Sequence, residues 1–196
     1  MQDKPNRRTY FPVIPLPLRA GLWYAAGMAV ESFAGHSPVL DSPAFVAASA
    51  DIIGRASLAP GSSVWYNTTI RADLAPVVIG PGSNVQDNSC IHVEHGQGCT
   101  VGANVTIGHC ATLHACTVED DCLIGMGAIV LDGAVIGRGS IVGAHALVTK
   151  NTVIPPHSLV LGSPAKVAKP LPPETAEANR AHAQEYRALA EQYAAR

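Results

Sequence analysis

The stretch VEDDCLIGMGAIVLDGAVIGRGSIVGAHALVTKNTVIPPHSLV, from Val118 to Val160, counts in sixes. Its aliphatic markers are Val118, Ile124, Val130, Ile136, Val142, Val148, Ile154 and Val160. Gly, Ala, Ser or Thr fill many positions between them, where turns need small residues. A period of six is neither helical nor simple strand alternation. A short strand plus a turn per hexad, with three hexads to a triangular coil, accounts for it. One aliphatic side chain per hexad then points inward and stacks on its equivalents above and below. Each coil adds ~4.8 Å along the axis, the ordinary spacing between strands.

The same markers extend toward the N-terminus. They fall at Val46, Ile52, Leu58, Val64 and Ile70, then at Ile79, Val85 and Ile91, then at Val101, Ile107 and Leu113. The step of nine from Ile70 to Ile79 predicts a small loop, and the step of ten from Ile91 to Val101 a larger one over about Glu94 to Cys99. A solenoid buries its core only by stacking, so its ends need covers. After Pro170, Pro172 and Pro173, the segment Glu174 to Arg196 is rich in Ala, Glu, Gln and Arg, with Tyr186, Leu189 and Tyr193 at helical spacing. That pattern predicts one amphipathic helix lying on the coils, its aromatic stripe used for packing. The expected organisation is an N-terminal arm over 1–27, a solenoid over 28–169 and a C-terminal helix over 170–196.

Composition narrows the function. The formal charge of −2 offers no basic patch for nucleic acid and no polybasic membrane signal. No apolar run approaches the roughly 18 residues of a spanning helix. The five cysteines, Cys90, Cys99, Cys110, Cys116 and Cys122, never form a C-x-x-C pair, and read as small buried or half-buried residues of a reducing compartment. The arm carries Lys4, Arg7 and Arg8, and Pro12, Pro15 and Pro17 break up any secretion signal. The cytoplasm is the expected location.

Three histidines stand in two short segments, His92 in CIHVEH and His109 and His114 in IGHCATLH. Neutral imidazole is the commonest metal ligand, and three of them with an open fourth position make a catalytic zinc site. Hexad counting places them. The hexads headed by Ile70, Ile91 and Leu113 share a face, so Arg71, His92 and His114 form a column, one coil apart. His109 lies two places after Ile107 on the preceding face, with Asp87 one coil below in the same relative position. One prism does not bring His109 to a metal held by His92 and His114. A three-fold trimer can, by setting one prism's edge against its neighbour's face.

Several segments carry a resemblance. IRAD (Ile70 to Asp73), NVQDNS (Asn84 to Ser89), IHV (Ile91 to Val93), TIGHCATLHACTV (Thr106 to Val118), GMGAIVLDGA (Gly125 to Ala134) and LGSPAK (Leu161 to Lys166) resemble the γ-class carbonic anhydrase family of the hexapeptide-repeat superfamily. The resemblance implies an all-β solenoid, a left-handed parallel β-helix with a C-terminal α-helix packed alongside. It implies a homotrimer with metal sites between subunits, and His92, His109 and His114 as ligands to zinc, with ferrous iron or cobalt as alternatives. It implies reversible hydration of CO2 to bicarbonate by a metal-bound hydroxide.

Other residues take roles by the same resemblance. Arg71 matches an arginine paired across the interface with an aspartate matching Asp87. Gln86 matches a glutamine bonded to the metal-bound water, and Asp73 an acid near the site. Arg71 and Asp87 also read as a purely trimer-stabilising pair, and Gln86 and Asp73 as turn residues. The family's best-studied members have a longer acidic loop with a proton-shuttle glutamate, where this chain has only EHGQG (Glu94 to Gly98), so Glu94 or His95 is the candidate substitute. Two further readings stay open: a metal-binding trimer with little activity that serves as an assembly module, and a coenzyme A thioesterase or acyltransferase.

Overall fold

The computed structural model describes residues 29–196, and the expected arm over 1–27 lies outside the described residues. Within them the chain winds as a parallel β-solenoid followed by one helix, Glu174–Ala194. This is the architecture expected of a left-handed hexapeptide-repeat β-helix.

The hexad markers are the rungs. Val64 pairs in register with Val85, Val85 with Ile107, Ile107 with Ile124, Ile124 with Val142, and Val142 with Val160. This stack is called the Val85 face. The Ile91 face stacks Ile52, Ile70, Ile91, Leu113, Val130 and Val148. The third face stacks Leu58, Ile79, Val101, Val118, Ile136 and Ile154. All these markers are buried and touch one another in a single core. Burying each Val, Leu or Ile is worth about 1.5–3 kcal/mol, so stacking supplies the cohesion that the few aromatics do not. Val46, in the first coil of this series, is only half-buried.

Corners follow from backbone sterics. Asn67, Asn88, Cys110 and His145 each stand three residues after a marker of the Val85 face, and each takes a positive φ between 55° and 59°. Asn tolerates the left-handed region better than most residues, which suits Asn67 and Asn88 to these corners.

Two expectations need correction. The step from Ile70 to Ile79 is not a loop but one continuous strand, Thr69–Ile79. Against its neighbour Asp51–Leu58, Gly54 pairs with Ala72 and Ala56 with Val77, so the extra residues bulge around Asp73. Bulges re-aim side chains, and this one sits beside the histidine column. The cysteines also divide: Cys99, Cys116 and Cys122 are buried, but Cys90 and Cys110 are exposed.

The final coil is covered by a hairpin in which Ser158–Gly162 pairs antiparallel with Ala165–Pro170. The helix lies along the Val85 face and runs back toward the first coil. Asn179 donates to the Asp121 carbonyl, His182 meets Thr106, Tyr186 stacks edge-on to Trp65 at 5.8 Å, and Tyr193 reaches Phe45 at 5.6 Å. Its packed stripe is Ala176, Asn179, Ala183, Tyr186, Ala190 and Tyr193, while Leu189 is exposed. Alanines, not the third large residue, let the helix approach closely. No helix among the described residues is long and apolar enough to cross a membrane.

Candidate metal centre

His92 and His114 close the adjacent strands Cys90–His92 and Thr112–His114, and are register partners on the Ile91 face. Side chains alternate across a strand, so the inward Ile91 and Leu113 turn both imidazoles outward. His92 Nδ1 lies 3.0 Å from His114 Nε2.

The outer nitrogens are both held by carboxylates. His92 Nε2 lies 3.1 Å from Asp73 Oδ1, and His114 Nδ1 contacts Asp132 Oδ1. Each carboxylate is gripped in turn by a cation, Asp73 by Arg71 and Asp132 by Lys150. The result is a row of two mirrored triplets, Arg71–Asp73–His92 and His114–Asp132–Lys150. Burial pushes the Asp73 carboxyl up, but hydrogen bonds from His92 and Arg71 outweigh it and hold the group below the ordinary carboxylate value. Lys150 above all, helped by His114 and opposed by burial, lowers the Asp132 carboxyl in the same sense.

The row fixes the tautomers. An ionised carboxylate only accepts, so the ring nitrogen against it carries the proton. His92 is therefore protonated at Nε2 and His114 at Nδ1, and the lone pairs of His92 Nδ1 and His114 Nε2 face each other. Two lone pairs 3.0 Å apart repel unless a proton or a cation stands between them. Two imidazole nitrogens on a tetrahedral zinc, each ~2.0–2.1 Å from it, are separated by about 3.3 Å, so a small adjustment fits the pair to a metal. The donor chemistry fits zinc, and the carboxylates behind the rings supply the outer support such ligands need.

His109 stands elsewhere. It follows strand Thr106–Ile107 on the Val85 face, and its Nδ1 lies 2.8 Å from Asp87 Oδ2, leaving Nε2 as its free nitrogen. Asp87 Oδ1 also accepts from the Tyr66 amide at 3.3 Å. Among the described residues of the one chain, no three His, Cys, Asp or Glu side chains are grouped to hold a metal.

The remaining candidates scatter around this pattern. Arg71 pairs with Asp73 of its own chain, while Asp87 pairs with His109. Gln86 is 2% exposed, and its amide donates to Asn84 Oδ1 at 3.2 Å. Asn84 donates to Thr106 Oγ1, which meets His182 Nδ1 of the helix. Glu94 starts a tight hairpin closed by paired backbone bonds with Gln97, and its carboxylate accepts from the His95 amide at 2.8 Å. Both Glu94 and His95 are exposed.

Asp132 and Lys150 are the residues that sequence reading missed. The signal was present: each stands two places after a marker, Val130 or Val148, on the histidine face.

The repeat family described as bacterial transferase hexapeptide (six repeats) matches residues 115–150, and the hexapeptide repeat of succinyl-transferase matches residues 76–109. A probable carbonic anhydrase of Methanocaldococcus jannaschii is 49% identical over 146 residues, 74% of this chain and 92% of that protein. The mitochondrial gamma carbonic anhydrase 1 of Arabidopsis thaliana is 43% identical over 165 residues, 81% of this chain; the matched region spans 60% of that protein's length. A crystal structure of a hexapeptide transferase family protein from Anaplasma phagocytophilum matches with a TM-score of 0.80 and 37% identity, covering 84% of this chain and 98% of the other.

Proposed function

The chain belongs to the γ-class carbonic anhydrase family, and from that premise we propose that a trimer of it hydrates CO2 reversibly to bicarbonate at metal sites between subunits. The observation that carries the proposal is the pair of ring nitrogens, His92 Nδ1 and His114 Nε2, facing each other at 3.0 Å while carboxylates hold the outer nitrogen of each ring. The third donor is Nε2 of His109 from a neighbouring copy, because each chain's own His109 stands on another face. Three neutral imidazoles suit zinc, and ferrous iron or cobalt takes the same donors. Held by His92, His114 and the neighbour's His109, a divalent metal would supply Lewis-acid chemistry, lowering the pKa of water from ~15.7 to about 7 so that hydroxide would be available at neutral pH.

The protein's own groups do the rest. Asp73 and Asp87 orient His92 and His109 through their outer nitrogens. Gln86 spends its amide nitrogen on Asn84 and keeps its carbonyl oxygen to orient a water. Arg71 holds Asp73 in place. The reaction CO2 + H2O → HCO3− + H+ releases one proton, and exposed Glu94 on the short hairpin hands it to solvent.

The test is metal content per chain, with CO2 hydration measured by stopped flow under reducing conditions with zinc or ferrous iron. His109→Ala and His92→Ala should each lose metal and activity. Co-expressing the two should restore metal in roughly a quarter of the interfaces, those that draw an intact donor from each neighbour in a closed ring. Full metal in His109→Ala alone would sink the shared site. The likeness to a hexapeptide transferase family protein supports a second reading, acyl transfer from coenzyme A. Thioester cleavage by fully metallated protein that fails to hydrate CO2 would favour it.

A further inference from the structure

Lys150 and Asp132 have no part in the function just proposed, yet they complete the row on which it rests. We propose that Asp132, clamped by Lys150, is the positioning residue that keeps the metal-donor pair open by fixing the tautomer of His114. The inference deepens the metal-binding reading and rests on it.

Val130 and Val148 are register partners, so Asp132 and Lys150, each two places further on, stack one coil apart. The Asn151 amide donates to the Asp132 carbonyl at 2.8 Å, which ties the Asp132 backbone to the next coil. Asp132 then divides its oxygens: Oδ1 faces His114 Nδ1, and Oδ2 faces Lys150 Nζ at 2.5 Å. Its side chain is 13% exposed against 63% for that of Lys150, so the aspartate is fixed between the ring and the ammonium while the lysine stem reaches out to solvent.

The consequence lies on the other side of the ring. With Asp132 in place, Nδ1 of His114 must carry the proton, and Nε2 offers a lone pair toward His92 Nδ1. Without Asp132, the imidazole is free to take the other tautomer. Its Nε2–H would then donate to His92 Nδ1 across the 3.0 Å gap, forming a closed hydrogen bond in which neither nitrogen is free for a metal. Asp132 thus decides whether the two histidines bind each other or a cation. Asp73, held by Arg71, does the same for His92 from the opposite end, so the row is supported at both ends.

The experiment compares Asp132→Ala, Asp132→Asn and Lys150→Met with the full-length wild-type protein. Zinc affinity is measured by chelator competition, and the His114 tautomer by 15N NMR of the metal-free protein. Asp132→Ala should weaken zinc binding about 10–100-fold, the usual effect of removing a carboxylate behind a ligand histidine. Its His114 should shift to the Nε2–H form, while the melting temperature of the metal-free protein moves little. Asp132→Asn keeps an oxygen acceptor and should rescue most of the affinity and the tautomer. Lys150→Met should fall between wild type and Asp132→Ala. Zinc lost in His92→Ala but bound at full strength by Asp132→Ala, with His114 still Nδ1–H, overturns this inference alone. Zinc uptake indifferent to His92→Ala overturns the metal reading and this inference together.

Discussion

Two carboxylate clusters of this molecule use similar parts and end differently. Asp121, with a side chain only 1% exposed, accepts from Arg180 Nε at 3.0 Å and Nη2 at 2.8 Å, and from Arg138 Nη2 at 2.7 Å. Asn104 adds a donor at 3.2 Å, and Asn179 takes the Asp121 carbonyl. Every acceptor is filled from within the chain, and two of the donors come from the helix. The histidine row also pairs carboxylates with cations, but at its centre two ring nitrogens face only each other, 3.0 Å apart. The carboxylates behind the rings turn these two nitrogens toward one another, and they are the ones the proposed metal would take. The closed cluster fastens the helix; the open one is the proposed metal site.

The two clusters should differ most at the open centre. His114→Ala removes a donor that no other group of the face replaces, so zinc binding should fall by at least about 1000-fold, roughly 4 kcal/mol. Its cost to folding should be small, because the ring lies outside the stacked core. Asp121→Ala should show the reverse. Breaking a buried ion pair typically costs about 3–5 kcal/mol, but Arg138 and Arg180 are half-exposed and regain water, which reduces the cost to about 2 kcal/mol. At this chain length that is a fall in melting temperature of roughly 4–8 °C. Zinc affinity should not change. A drop in zinc affinity in Asp121→Ala, measured by the same chelator competition, would mean that the two clusters are coupled through the helix.

The sequence revealed the coils more fully than the contacts on their outer surfaces. Burial of one aliphatic per hexad is a local, repeated cause, so a count of sixes places Ile91 under Leu113 and hence His92 under His114. The same count also reaches Asp132 and Lys150, but only when it is extended two places past each marker. What the period does not carry is anything that breaks it. The nine-residue step after Ile70 reads as a loop because insertions usually leave the sheet, whereas here the strand continues and bulges to bring Asp73 to His92. The burial of Gln86, whose amide is bonded to Asn84, depends on contacts that no repeat specifies. The stripe of Tyr186, Leu189 and Tyr193 misleads at Leu189 because the packed face is built largely of alanine. The resemblance pairs Arg71 with Asp87 of a neighbouring copy, a contact that no single chain holds; within one chain its partner is Asp73.

The mildest perturbation is acid. Burial raises the Asp121 carboxyl, but hydrogen bonds from Arg180 and Arg138 outweigh it, so its folded value lies below that of the unfolded chain. A depressed carboxylate contributes stability that is fully present above the unfolded value, about 3.9, and is lost as pH falls through the folded one. Asp121→Asn keeps the shape and cannot titrate. Urea unfolding of the two proteins at pH 7, 5 and 3 should therefore give a wild-type advantage that is constant between pH 7 and 5 and narrows by pH 3. Asp132 titrates in the same direction, but it is present in both proteins and drops out of the difference. An advantage unchanged at pH 3 would show that Asp121 fastens the helix by shape and hydrogen bonding alone, without its charge.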